Sequence, residues 1–268
     1  ISYTNLTNAC GNGDVSLNGV NITDATGIPL AGSLIPRIYY RKNADPYVSR
    51  AGVLQSGTAN SSNWNFPIIV ADMGGVTTAD VISYYVIAQD NAATPNIGSN
   101  PGGVVATDVN TVTTPPAAPR TYTVLNALSG TYTVGAGGDY TTLTAAVTAY
   151  NTGCLAGPVV FSLTDATYTT PAETFPITIN QGNGASATNT LTIRPAAGNT
   201  VTVTGSATAL IKLNGADYVT IDGSNNGTNS RDLSFINTIT TASAVLWNAS
   251  IGGAGNGVVF VFYAFPPL

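Results

Sequence analysis

TLTIRP (Thr190 to Pro195) and DYVTIDG (Asp217 to Gly223) recur in related form about one solenoid turn apart. Each alternates apolar and polar residues, so each is a strand with one face for a core. Around them lie PVVFSL (Pro158 to Leu163), FPITIN (Phe175 to Asn180), TVTVTG (Thr200 to Gly205), ALIKLNG (Ala209 to Gly215), DLSFIN (Asp232 to Asn237) and AVLWN (Ala244 to Asn248), separated by small polar turns. Eight short strands with no helix between them exclude a doubly wound sheet. A related motif that returns at long range favours coils over hairpins and predicts a parallel β-solenoid.

Two flanks frame this repeat. Before it, YTVGAGGDYTTLTAAVTAYN (Tyr132 to Asn151) predicts a helix capped by Asp139 or Thr141, with Leu143, Ala146, Val147 and Tyr150 on one apolar face. After it, GNGVVFVFYAFPPL (Gly255 to Leu268) is an apolar strand with no charge and no polar cap. Such a strand is buried in a partner or aggregates. The candidate assembly interface is therefore Val258, Val259, Phe260, Val261, Phe262, Tyr263 and Phe265.

The first half reads differently. IPRIYYRK (Ile35 to Lys42), NWNFPIIV (Asn63 to Val70), VISYYVIAQD (Val81 to Asp90) and RTYTV (Arg120 to Val124) are short strands between Gly-, Asn-, Pro- and Asp-rich turns, the pattern of a β-sandwich. The expected core includes Ile38, Tyr40, Tyr85 and Ile87, with Trp64 as a buried anchor. DVNTVTTPPAAPR (Asp108 to Arg120) reads as a stiff extended lead into the last strand, with the domain junction near Leu125 to Ser129. The expected domains are 1–126 and 127–268. A stiff junction suits a structural subunit better than a hinged enzyme.

Composition narrows the function. The net charge is −5, and 8% of residues are charged against about 25% in an average soluble domain. Thr, Ser, Asn and Gly must supply solubility. The acidic balance, with scattered Lys and Arg, argues against nucleic acid. No run is long enough for a membrane helix and no basic amphipathic segment is present, so no membrane insertion is expected. The chain opens on Ile1 without Met, which reads as removal of a leader on export or as a fragment of a longer protein.

VGAGGDYTTLTAAV followed by PVVFSL, FPITIN, LTIRP and YVTIDGSNNG resembles the start of a right-handed parallel β-helix of the pectate-lyase type. With IPRIYYRKN, SYYVIAQDNAATPN and DVNTVTT before it, the run resembles large secreted surface proteins of Bacteroidota-like bacteria. That resemblance implies an all-β chain: an immunoglobulin-like β-sandwich, then a short right-handed parallel β-helix with an N-terminal capping helix. It implies an extracellular or cell-surface location. No C-terminal sorting domain of that family is visible.

The absence of His removes Ser/His/Asp and Cys/His nucleophilic sites and the usual zinc ligand sets. Acid–base work of the β-helix lyase kind would fall to Asp217, Asp222 and Asp232 with Arg194, Lys212 or Arg231, although Asp222 and its Asn neighbours are also what a tight turn requires. Glu173, the sole Glu, and Asp165 make no convincing hydrolase pair. Asp222 to Asn229 and Ala88 to Asn96 lack EF-hand spacing, so turn chemistry is favoured over calcium. Thr-x-Thr strands offer the hydroxyl array of an ice-binding face, yet Thr is also what an exposed strand prefers. Sequons at Asn5, Asn21, Asn60, Asn226 and Asn248 arise readily in an Asn- and Thr-rich chain. Cys10 and Cys154 are candidates for a disulfide, for two buried thiols or for a link between subunits.

The expectation is a non-enzymatic structural subunit of an extracellular fibre or adhesive appendage. Its partners are copies of itself joined head to tail, and surface glycans; no cofactor or metal is expected. The alternative is a carbohydrate-binding or polysaccharide-lyase-like β-helix.

Overall fold

The computed structural model describes residues 1–241, 244–250 and 259–261, with backbone alone for 247–250 and 259–261. The chain is nearly all-β and divides into two units, Ile1–Leu125 and Asn126–Leu268.

The strands of the first unit are β1 (Ala9–Cys10), β2 (Val15–Thr23), β3 (Arg37–Lys42), β4 (Val48–Ala51), β5 (Val53–Thr58), β6 (Ser61–Ile68), β7 (Val81–Gln89), β8 (Ile97–Asn100), β9 (Val105–Asp108), β10 (Thr111–Thr114) and β11 (Arg120–Leu125). One antiparallel sheet runs β2-β6-β5. A second runs β1-β11-β7-β3-β4, with β8 also on β7; only the β1–β11 pair is parallel. Alternate residues of both sheets meet in one core: Leu17, Val20, Trp64 and Phe66 from the first, Ile38, Tyr40, Tyr84 and Val86 from the second. Trp64 is fully buried, and its indole nitrogen donates to Ser62 Oγ at 2.9 Å. That bond removes the cost of burying the polar edge of the ring.

Tyr85 and Ile87 do not join this core. Register pairs Ile38 with Val86 and Tyr39 with Tyr85, so odd-numbered residues of both strands face the other side of the sheet. There Tyr39 stacks on Tyr85, centroids 5.3 Å apart, and with Ile87 and Val109 forms a second apolar cluster. The β9–β10 hairpin contributes Ala106 and Val112 to it. The expected stiff lead at 108–120 therefore contains a paired strand, β10, and extends without pairing only from Pro115.

The strands of the second unit are β12 (Ala127–Val134), β13 (Cys154–Leu163), β14 (Thr167–Thr169), β15 (Ile177–Asn180), β16 (Leu191–Pro195), β17 (Val201–Gly205), β18 (Ala209–Asn214), β19 (Val219–Asp222), β20 (Leu233–Asn237), β21 (Ala244–Ser250) and β22 (Val259–Val261). They form three parallel sheets, β12-β13-β16-β19-β22, β14-β17-β20 and β15-β18-β21. Each turn visits the three sheets in order, which is the topology of a β-solenoid. Inward positions stack like on like: Phe161, Ile193 and Ile221 form one column, and Ile177, Ile211 and Leu246 another.

One helix, α1 (Leu143–Thr152), precedes β13 and buries Leu143, Ala146, Val147 and Tyr150. Its cap is neither Asp139 nor Thr141. Thr142 Oγ1 accepts from Ala145 N at 3.0 Å, while Asp139 binds Thr133 N at 2.7 Å. A competing backbone partner thus draws Asp139 away from the helix. Tyr150 lies against Gly182, where a Cβ would sit 2.5 Å from its hydroxyl, so only glycine allows that approach.

Candidate functional site

The outward columns of the solenoid change character along its length. On the second sheet, Thr167, Thr202 and Ser234 succeed one another, and beside them Thr169 and Thr204 lead to Ile236. On the third, Thr178 and Lys212 lead to the register position of Trp247. On the first, Thr192 and Thr220 lead to Val259, and Ser162, Arg194 and Asp222 lead to Val261. Val160 and Leu210 are apolar exceptions among the earlier positions of this parity; Leu210, one rung before Val245, is fully buried. Ile236 is 50% exposed and Val245 38%. Apolar side chains on such positions gain nothing from solvent; burying one completely is worth about 1.5–3 kcal/mol. The same last rung is thinly covered inside: Leu233, Phe235 and Leu246 are only partly buried, whereas Val201 and Val203 one turn earlier are wholly so.

Among the described residues β20, β21 and β22 are each the last strand of their sheet. Of the predicted interface, Val259, Phe260 and Val261 form β22, whose register pairs Phe260 with Ile221. Val258, Phe262, Tyr263 and Phe265 lie outside the described residues.

The first rung is finished differently. Asn151 of α1 donates to Thr178 O at 2.8 Å and accepts from Asn180 N at 2.9 Å, so its amide takes the place of a neighbouring strand along β15. Glu173 is buried and accepts from Leu143 N and Thr144 N, both at 2.7 Å. A carboxylate there satisfies two of the four unpaired donors of the first helical turn and complements the helix dipole. Sequence reasoning missed both roles. The signal available was a sole Glu in the apolar loop TPAETFP.

The acid–base candidates do not converge. Arg194 and Asp222 are neighbours on the outward face of the first sheet, Lys212 stands on the third, and Asp217 and Arg231 lie in turns. Asp222 Oδ1 accepts from Ser224 N at 2.9 Å and Asp232 Oδ2 from Asn225 N at 3.0 Å. Both carboxylates tie one loop, in which Ser224 is fully buried. The second calcium candidate is likewise a self-bonded loop. Asp90 accepts from Asn96 N at 2.8 Å and Asn96 Nδ2 at 2.7 Å, and these bonds hold its pKa below the ordinary carboxylate value. Asp165 accepts from Ala136 N at 2.9 Å, far in role from Glu173. Among the described residues no three His, Cys, Asp or Glu side chains lie together as a metal site, and no helix is long and apolar enough to cross a membrane. Neither cysteine is a free thiol. Comparison with protein-family models, curated proteins and solved structures gave no match.

Proposed function

We propose that this protein is a secreted structural subunit of an extracellular fibre or adhesive surface appendage that assembles head to tail through its terminal strands. In this reading the first unit is an immunoglobulin-like sandwich, and the second is a right-handed parallel β-helix whose first rung is capped by α1. The observation that carries it is the polar-to-apolar change along the outward columns, from Thr169 and Thr204 to Ile236 and from Thr192 and Thr220 to Val259. A partner that covers the last rung removes this apolar surface from water and completes the ladder of β22. Contact between different patches on each copy generates an open filament unless it closes into a ring.

Export is supported by the state of Cys10 and Cys154, since bonded cysteines persist in oxidising compartments. A lyase reading has less support, because Lys212 and Arg194 stand on different sheets. Sedimentation and electron microscopy of the chain with and without residues 258–268 test the proposal. The full chain should form filaments and the shortened chain folded monomers. Filaments of unchanged repeat from the shortened chain, or a full chain monomeric at high concentration, would overturn it.

A further inference from the structure

The first unit holds an open cleft of about 660 Å³ whose lining includes Arg37, Ser49, Arg50, Val53, Pro67 and Asp72. It lies along β4, which pairs β3 on one side and has no strand on the other among the described residues. Gly52 N donates to Pro36 O at 2.8 Å, which fixes the phase of the antiparallel ladder. Hydrogen-bonded pairs then fall at Ile38/Arg50 and Tyr40/Val48, and the N–H and C=O groups of Ser49 and Ala51 point to the free edge.

Free edges are usually guarded by a solvated charge. Here the guard is disarmed. Arg50 is drawn onto Asp72, Nε to Oδ2 at 2.5 Å and Nη2 to Oδ1 at 2.7 Å, and Asp72 is also bonded by the buried Tyr40 hydroxyl. Beside the edge Val53 is 54% exposed. Arg37 Nε donates to Ser49 Oγ at 3.3 Å, so the cleft lining carries two guanidiniums against one carboxylate in a chain of net charge −5.

We propose that the free edge of β4 is the acceptor for β22 of a second copy, so that the first solenoid sheet of one molecule continues into the five-strand path ending at β4 in the next. This rests on the head-to-tail reading above and names its other half. The two strands are both short, four and three residues. Asp222 sits one strand behind β22, about 10 Å from the incoming edge at two strand spacings, where its charge favours approach to Arg37.

Ala51→Pro tests this, because it removes an N–H that points away from β3 and leaves the β3–β4 bonds intact. Val53→Asp tests it without touching the backbone. Both variants should melt as the parent does, and both should lose filaments at concentrations where the parent forms them. If Ala51→Pro does not fold, Val53→Asp alone decides by the same readout. If folded variants assemble like the parent while removal of 258–268 abolishes filaments, the β4 acceptor is wrong and the tail reading stands. If neither the variants nor the deletion affects assembly, or the parent never assembles, both are overturned.

Discussion

The two units solve the same problem, burying alternate residues of short strands, with opposite connectivity. In Ile1–Leu125 the partners are remote in sequence: Ala9 pairs with Val124, and Tyr3 donates to Asn100 O across 97 residues. The core mixes aromatic and aliphatic side chains and draws on both sheets, β8 excepted. In Asn126–Leu268 each strand pairs only with the rung before and after it, and the core is mostly stacked Val, Ile and Leu. The first arrangement should open as a whole, while the second should open rung by rung from its ends, as stacked repeats do.

Trp64→Ala is the strongest way to break that contrast. It empties the centre of the first core and should cost about 3–5 kcal/mol. Amides of β2, β3, β6 and β7 should lose hydrogen-exchange protection together, while β16 to β18 keep theirs. Simultaneous loss in both units would abolish the distinction.

Glu173→Ala should cost about 3 kcal/mol, because it strands two helix donors in a buried site where a charge-assisted bond is worth about 1.5–3. The damage should stay local. Exchange should quicken in α1 and β13 to β15 and leave β18 unchanged. Asn151→Ala, which removes two bonds to the edge of β15, should do the same on a smaller scale, about 1–2 kcal/mol. Equal acceleration in every rung would show the solenoid to be as cooperative as the first unit.

The smallest effect is electrostatic. Arg50 first, then Tyr40, hold the Asp72 carboxyl down at about 2, below its ordinary 3.8. A carboxylate lowered on folding contributes stability above its unfolded value and loses it as pH falls through the folded one. The window is therefore pH 4 to 2. With Asp72 25% and Arg50 43% exposed, solvent screening limits the contribution to about 1 kcal/mol. Denaturant unfolding should separate the parent from Asp72→Asn at pH 7 and bring them together near pH 2.

Much of the solenoid was legible because its information is local. TLTIRP, TVTVTG and DYVTIDG carry their own alternation and turns, so β16, β17 and β19 follow from the residues. β12 and β14 were missed: ALSGTYTV contains a Gly and little apolar character, and TYT is too short to register. In the first unit β2, with Gly19 and three Asn or Ser outward residues, was equally hidden, although Leu17, Val20 and Ile22 all enter the core. The cleft was not legible at all. Arg37, Arg50 and Asp72 are widely separated in sequence, and no local pattern unites them.

By itself the sequence determined the strands that carry clear alternation, such as β3, β6, β7, β16, β17 and β19, and that no histidine chemistry is available, because period-two burial and composition act within a few residues. Only the tertiary structure decided which face of β3 and β7 meets which core, that Glu173 closes a helix while Asp139 does not, and that the outward column of Thr169 and Thr204 ends on Ile236. Each of these depends on register between strands or on partners about 30 residues away, and register is set by the pairing itself, not by either strand alone.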